Sequence, residues 1–294
     1  MMKRGTTSAI IGSIDNLVLA VYSCEFLKRS FRVLFRLLPH VDITVRLAEG
    51  KVHTDSPDRL IAALLWKYKA KGSAEYAVYR SAIKPGMTVL DIGANIGTLT
   101  ILFSSLAGAA GKVVAVEPDP DNFRLLRKNV EENGCSNVQC RNLAAADSDG
   151  TLRLFRSEEH HGDHRIYDSG DGRASVEVGR SSVDNMLGDG AAADFVKMDV
   201  QGAEMLALKG MERTLRNSPD VTVLCEFSPS LLRKAGSGPD ELLKKFSDLG
   251  FAINYIDESS GAAVPASTAE LIAMCPGDKY LNLLLARKPL SSAS

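Results

Sequence analysis

Short apolar runs recur along most of the chain, and between them apolar residues return every three or four positions. The runs are rich in valine, isoleucine and leucine and are too short for helices, so we predict buried strands. The intervening stretches have helical periodicity and begin at good capping residues. Strands that alternate with helices are typical of a doubly wound α/β fold. The five runs, three of which end in an acid, are residues 88–92, 112–117, 137–143, 194–199 and 221–226.

The last part of the chain departs from this alternation. One helix, over 239–249, is followed by two apolar runs at 251–256 and 280–286. Two strands after a single helix fit a reversed strand at the edge of the sheet, which a plain dinucleotide-binding fold would not need. Two further alternating runs, 151–155 and 174–178, predict an inserted hairpin, and the polar loop that joins them is long enough to suggest a function.

The N-terminal part of the chain has a different character. We predict a helical segment with one small hairpin for residues 1–81 and the sheet domain for residues 82–290. Residues 9–38 are apolar, but Asp15 and Glu25 interrupt them, and charges are costly at bilayer depth. The segment is therefore not predicted to span a membrane. We expect it to pack against its own domain, and an arm that forms a homodimer, a lid and a membrane-surface helix also stay open.

Composition and charge narrow the class of protein only a little. The chain has 294 residues, 45% of them apolar, and a formal net charge of −1. A near-neutral balance gives no overall case for a nucleic-acid partner. The five cysteines include no C-x-x-C spacing and fit a reducing compartment, so we expect a cytoplasmic protein.

Candidate chemistry begins where the first strand ends, in the pattern Asp91-x-Gly93-x-x-x-Gly97. A dinucleotide fingerprint would need glycine two positions after Gly93, and this chain has Asn95 there. A carboxylate at the strand end also suits a cationic ligand better than a phosphate. S-adenosylmethionine carries an ammonium and a sulfonium and has no phosphate. The pattern therefore favours S-adenosylmethionine, and the two glycines should let it approach the backbone.

The second strand also ends in an acid, Glu117, one β-α-β unit after Asp91. An acid at this position can accept hydrogen bonds from both ribose hydroxyls. Asp147 follows the third strand and could accept from the adenine amino group, although its Asp-Ser-Asp-Gly context is equally that of a plain turn. We predict that Asp91, Gly93, Asn95, Gly97, Glu117 and Asp147 form the cofactor site.

The fourth strand ends at Asp199, where this topology places a second ligand. Glu204 lies in the first turn of the next helix, and the polar loop of the inserted hairpin carries His160, His161 and His164. The histidine spacing matches no zinc pattern, so we predict no metal, and a solvated loop is the plainer alternative to a substrate loop. We predict His164 as a general base, with Asp199 and Glu204 holding the acceptor, and Asp199 stays open as the alternative base.

The motif Ser182-Val-Asp-Asn-Met-Leu187 joins those that contain Asp91, Glu117 and Asp199. Together these four segments resemble the FkbM family of S-adenosylmethionine-dependent methyltransferases, over roughly residues 43–287. The resemblance implies a doubly wound class I methyltransferase sheet of seven strands, the last one reversed, with an N-terminal helical cap. It also implies transfer of a methyl group to a hydroxyl of a sugar, glycan or natural product. The family usually has glutamate where this chain has Gln201. Two alternatives stay open, an NAD-dependent oxidoreductase and a non-catalytic scaffold of the same fold. The segments are 89–97, 116–118, 182–187 and 197–204.

Overall fold

The structure is a computed structural model that describes residues 42–56, 59, 62–64, 66, 73–158 and 160–287. The N-terminal segment at 9–38 lies outside these residues, so its relation to a membrane or a second copy stays a prediction, as does the boundary at residue 82. Within the described ranges, every helix is too short or too polar to cross a bilayer.

The order of strands and helices follows the predicted alternation. The strands are β1 Ile43–Arg46, β2 Lys51–Thr54, β3 Thr88–Ile92, β4 Lys112–Val116, β5 Val138–Arg141, β6 Ala144–Ala145, β7 Gly150–Arg156, β8 Ala174–Ser181, β9 Phe195–Met198, β10 Thr222–Phe227, β11 Ala252–Ile256, β12 Ala263–Pro265 and β13 Leu281–Ala286. The helices whose two ends lie among the described residues are α1 Ala74–Ala82, α2 Thr98–Ala107, α3 Pro120–Glu132, α4 Val183–Leu187, α5 Glu204–Lys209, α6 Glu212–Arg216, α7 Pro229–Lys234, α8 Pro239–Asp248 and α9 Thr268–Ala273.

The central sheet has the order β12-β11-β13-β10-β9-β3-β4-β5. β3 pairs in parallel with both β4 and β9, which puts their carboxyl ends on one edge. β13 is antiparallel to both of its neighbours, so the last strand is reversed as predicted, but it lies between β10 and β11 and not at the predicted edge. The order reverses between β3 and β9, and a crevice at such a switch point is where this class of fold binds ligands.

Alternate side chains of the strands pack on opposite faces of the sheet. Leu90 and Val196 join the cluster on one face, whereas Val89 and Phe195 join the cluster on the other. On the second face the ring of Tyr79, from α1, contacts the ring of Phe103 edge-on with centroids 4.9 Å apart. Both faces are therefore apolar, as a parallel sheet covered by helices requires.

Two details differ from the predicted elements. The central sheet has an eighth strand, β12, because the chain after β11 turns back and pairs with it over three residues, too few for a pattern to reveal. The helix predicted after the fourth strand, which begins near Glu204, is two short helices, α5 and α6. Gly210 ends the first, where an added Cβ would lie 1.8 Å from the carbonyl oxygen of Ala146, so the chain bends where only glycine fits.

The predicted inserted hairpin is present as β7 and β8, which pair antiparallel, and β6 joins it in a separate small sheet. The loop between the strands does not project into solvent. Its middle returns to β7 through mutual backbone hydrogen bonds between Phe155 and Arg165 of 2.7 and 3.0 Å. The guanidinium groups of Arg165 and Arg173 both bind the carboxylate of Asp163, which ties the loop to itself. This folded loop forms one wall of the site.

Candidate functional site

A cleft of about 1060 Å³ opens at the carboxyl ends of the central strands. The turn after β3 and the ends of β4, β9 and β10 contribute to its floor, and the loop between β7 and β8 contributes a wall. Of the residues predicted for the site, five line this cleft and four do not. Those that line it are Gly93, Asn95, Glu117, His164 and Asp199.

The turn after β3 is held by the backbone of the neighbouring strands. The amide of Gly93 donates to the carbonyl of Val116 at 2.9 Å. Gly93 has φ of +82°, and an added Cβ would lie 1.9 Å from the carbonyl oxygen of Asp199. The position needs glycine because the neighbouring backbone approaches it, which is a different reason from the predicted approach of a ligand.

Gly97 serves packing between helices. It precedes α2 in the left-handed conformation, with φ of +88°, and an added Cβ would lie 2.7 Å from the side chain of Leu126 on α3. Gly97 therefore lets α2 and α3 pack closely behind the cleft. Asn95, with φ of +50°, does line the cleft, and its side-chain amide donates to the carbonyl of His161 at 3.2 Å.

Glu117 lies at the end of β4 with only 5% of its surface exposed. Its Oε2 accepts the backbone N–H of Asn95 and its Oε1 accepts that of Asp119, both at 2.9 Å. Burial raises the pKa of Glu117 to about 7. A carboxylate has about four lone-pair sites, so two acceptor sites are left for hydroxyl groups of a ligand in the cleft. This donor and acceptor set fits the ribose of S-adenosylmethionine.

Asp91 is fully buried beneath the cleft and does not line it. Its Oδ2 accepts from the hydroxyl of Thr100 at 2.6 Å, and its Oδ1 lies 3.8 Å from the ammonium of Lys197. Lys197 also donates to the carbonyl of Gly93 at 2.9 Å and lies 3.7 Å from Asp199 Oδ2. Burial lowers the pKa of Lys197, but the charges of Asp199 and Asp91 outweigh it and raise the pKa above its ordinary value. Asp91 therefore acts through Lys197, which supports the glycine turn.

Asp147 lies outside the cleft, on the small sheet. Its Oδ1 is 3.5 Å from the guanidinium of Arg180, and 42% of its side chain is exposed. Its surroundings are those of a plain turn, which is the second of the two interpretations of the sequence. The adenine role has no geometric support, because the chain turns away from the main sheet after β5 to enter the inserted hairpin.

His164 is buried against the start of α3 on the β4 side of the cleft, not beyond the fourth strand as predicted. Its Nδ1 accepts the backbone N–H of Ser157 at 3.1 Å, and its Nε2 lies 3.8 Å from Asp119 Oδ2. Burial lowers its pKa to about 4. A neutral ring whose Nδ1 accepts a hydrogen bond carries its proton on Nε2, so neither nitrogen is placed to take a proton. The geometry favours a structural role.

Glu204 faces inward rather than into the cleft, with 2% of its surface exposed. Its Oε1 accepts the backbone N–H groups of Val200 and Gly202, each at 3.2 Å. Burial raises the pKa of Glu204 to about 7. Its place in the first turn of α5 was predicted, but the side chain turns back to hold the β9–α5 turn and does not line the cleft.

Asp199 shares the β9–β10 side of the cleft with two residues to which the sequence assigned no role. The side-chain amide of Gln201 donates to Asp199 Oδ1 at 2.8 Å and to Glu226 Oε1 at 3.0 Å. Glu226 is near the end of β10, and Tyr280 lies at the mouth with 60% of its surface exposed. The sequence contains a signal for Glu226. It is an acid at the end of a predicted strand, as Asp91, Glu117 and Asp199 are.

Comparison with known proteins identifies the family of the chain. Residues 91–253 match the model of the Methyltransferase FkbM domain. Hexuronic acid methyltransferase AglP of Haloferax volcanii is 29% identical over 161 residues, which cover 54% of this chain and 60% of AglP. Protein-L-isoaspartate O-methyltransferase of Methanococcoides burtonii is 45% identical over 56 residues, 19% of this chain and 28% of that protein.

Among solved structures, a methyltransferase FkbM from Methylobacillus flagellatus KT aligns with a TM-score of 0.40 and 18% identity, over 77% of this chain and 53% of the other. The matched regions thus span 60% or less of these three proteins. The family model covers more than half of the chain. The chain therefore belongs to the FkbM family of methyltransferases, and its methyl donor is S-adenosylmethionine.

Proposed function

We propose that the protein transfers the methyl group of S-adenosylmethionine to a hydroxyl group of a sugar, glycan or related natural product. The observation that carries the proposal is the β9–β10 side of the cleft, where Asp199 and Glu226 present carboxylate oxygens around the amide of Gln201. Hydroxyl groups donate hydrogen bonds. Among protein side chains, an ionised carboxylate accepts the strongest hydrogen bonds from them. A wall of this kind suits a polyhydroxylated acceptor.

The donor is held on the other side of the cleft. Glu117 has two acceptor sites for ribose hydroxyls, and the turn that carries Asn95 borders the space beside it. When bound, S-adenosylmethionine supplies an electrophilic methyl carbon. The chain then has to align the acceptor oxygen with that carbon and receive the hydroxyl proton, and alignment supplies much of the rate.

A sugar is the acceptor class that the mouth of the cleft fits best. Tyr280 offers an exposed aromatic ring beside the carboxylates, and a pyranose has one apolar face of C–H groups and an edge of hydroxyls. The name of the relative AglP, a hexuronic acid methyltransferase, supports the same class. Arginine side chains that line the cleft, among them Arg156 and Arg173, are already paired with acids, which favours recognition by hydroxyls.

The test is transfer of labelled methyl groups. The protein is incubated with S-adenosylmethionine that carries a tritiated methyl group, together with a glycan extract and a panel of p-nitrophenyl glycosides. We expect label in an alkali-stable methyl ether of a sugar. A non-catalytic scaffold would bind the cofactor in calorimetry without transfer, and an oxidoreductase would bind NAD instead. Label in an amine or a carboxylic ester would contradict the proposed O-methylation of a hydroxyl.

A further inference from the structure

The two carboxylates at the β9–β10 side of the cleft are not equivalent. Asp199 has both oxygens engaged, since Oδ1 accepts from Gln201 and Oδ2 faces the ammonium of Lys197 at 3.7 Å. Glu226 has one oxygen engaged, since Oε1 accepts from Gln201 at 3.0 Å. Its Oε2 receives no hydrogen bond from the residues that the structure describes, and the residue lines the cleft. Glu226 therefore has one oxygen that faces no N–H or ammonium group among the described residues, whereas each oxygen of Asp199 faces one.

Gln201 is built into the turn in a way that fixes this arrangement. Its backbone has φ of +52°, the left-handed region that residues other than glycine seldom occupy. The next residue, Gly202, has φ of +102°, where an added Cβ would lie 2.7 Å from the carbonyl oxygen of Leu231. The strained turn directs the Gln201 amide between two carboxylates. Backbone strain of this kind persists where the surroundings enforce it.

We propose that Glu226 is the catalytic base of the methyl transfer and that Gln201 is a positioning residue that holds Glu226 beside Asp199. The inference rests on the proposed function. The acceptor hydroxyl gives its proton to Glu226 Oε2, and the acceptor oxygen forms a bond to the methyl carbon. The carbon–sulfur bond breaks, its electron pair stays on sulfur, and S-adenosylhomocysteine leaves. The proton on Glu226 then passes to solvent through the open side of the cleft.

The electrostatics agree with this role. Burial raises the pKa of Glu226 well above its ordinary value, and the charges of Asp199 and Glu204 raise it further, while Lys197 lowers it. Glu75, on α1, raises it as well. A general base works best when its pKa lies near the working pH, and an ordinary carboxylate lies too low. His164 and Glu204 do not compete for the role, because the geometry described above commits both of them elsewhere.

The first experiment measures the titration of Glu226 directly, without an acceptor. Carbon-13 spectra of protein labelled at the glutamate side-chain carboxyl are recorded from pH 4 to 9, and Glu226→Gln assigns the signal by its loss. We expect a midpoint above the ordinary value of about 4.3. Gln201→Glu replaces the donor by a third acid, so the midpoint should rise further. A midpoint near 4.3 that Gln201→Glu leaves in place would overturn the proposal.

The second experiment measures turnover with tritiated S-adenosylmethionine and the p-nitrophenyl glycoside or extract fraction that the wild type methylates. Glu226→Gln should lose on the order of 10²–10⁴ in kcat while it keeps its affinity for S-adenosylmethionine in calorimetry. Glu226→Asp should recover part of the loss. Gln201→Glu should shift the acid limb of the pH–rate profile to higher pH. Glu258→Gln, a matched control, removes an exposed acid that does not line the cleft and should behave as the wild type.

The two proposals fail in different ways. If the wild type methylates a glycoside and Glu226→Gln does so at the same rate, the base is another group and the proposed function stands. If the wild type labels no hydroxyl in the panel or the extract, the proposed function falls and the role of Glu226 falls with it. A variant that loses affinity for S-adenosylmethionine together with turnover would assign Glu226 to binding instead, and would also overturn the inference.

Discussion

The two sides of the cleft are built by different means. On the β4 side, Glu117 is held by backbone N–H groups of Asn95 and Asp119, so its position follows from the strand, the turn and the helix themselves. On the β9–β10 side, Asp199 and Glu226 are linked through a side chain, Gln201. Backbone contacts survive substitution of neighbouring side chains, whereas a side-chain bridge changes with one residue. The comparison suggests a constant donor side and an acceptor side that can be altered.

Lys197 contacts both Asp199 and the carbonyl of Gly93 in the turn after β3. Its substitution should have the largest effect on stability. Lys197→Met leaves the fully buried Asp91 without its cation and Asp199 without one of its two partners. Loss of one partner of a buried pair costs about 3–5 kcal/mol, so the free energy of unfolding in urea should fall by that amount. The control Lys244→Met removes an exposed ion pair with Asp248 and should change it by less than about 1 kcal/mol. Equal losses of unfolding free energy in both variants would mean that Lys197 contributes no more to stability than an exposed lysine.

The pH dependence of the unfolding free energy tests whether Glu204, which is buried outside the cleft, titrates above its ordinary range. The pKa of Glu204 is about 7 in the folded state and about 4.3 in the unfolded chain. Its contribution to stability is therefore fully present below about pH 4.3 and is lost as the pH rises through about 7. The loss is on the order of 3 kcal/mol.

Glu204→Gln cannot titrate, so its unfolding free energy without cofactor should fall less between pH 5 and pH 8 than that of the wild type. Urea unfolding at the two pH values gives the comparison. Glu131→Gln removes a glutamate that is 66% exposed and serves as the control, with the slope of the wild type. An unchanged slope in Glu204→Gln would show that the buried carboxylate titrates in its ordinary range.

Loss of the ribose acceptor should have an intermediate effect, on binding. Glu117→Ala leaves ribose hydroxyls and the N–H of Asn95 without their acceptor, at a cost of about 1–3 kcal/mol in the affinity for S-adenosylmethionine. Calorimetry measures this change, and Glu117→Gln, which keeps one acceptor oxygen, should lose less. Unchanged affinity in Glu117→Ala, with an unchanged thermal midpoint, would contradict the placement of the cofactor.

The smallest effect is expected at Asp147, which the sequence suggested for adenine and the structure places outside the cleft. Asp147→Ala breaks a partly exposed ion pair with Arg180 and should change stability by about 0.5 kcal/mol or less. Affinity for S-adenosylmethionine should stay within twofold of the wild type in calorimetry. A tenfold loss of this affinity would show that Asp147 contacts the cofactor and that the cofactor site extends to the small sheet.

The sequence by itself determined the sheet and the edge at which the site lies. The apolar runs, their period and the acids that end them place Glu117, Asp199 and Glu226 at one edge, because parallel strands share an end. It also determined the glycine turn and, through the resemblance, the methyl donor. Strand periodicity is a local property, and it can be found without knowledge of distant contacts.

Only the tertiary structure decided which of the acids reach the cleft. Asp91 and Glu204 were predicted to touch ligands and are instead turned inward, one toward Lys197 and one toward the N–H groups of its own turn. His164 lies on the β4 side because its loop pairs back onto β7, and a loop without periodicity gives no sign of such a contact. Burial, side-chain direction and the path of a long loop depend on contacts between residues far apart in the chain, so a local pattern cannot specify them.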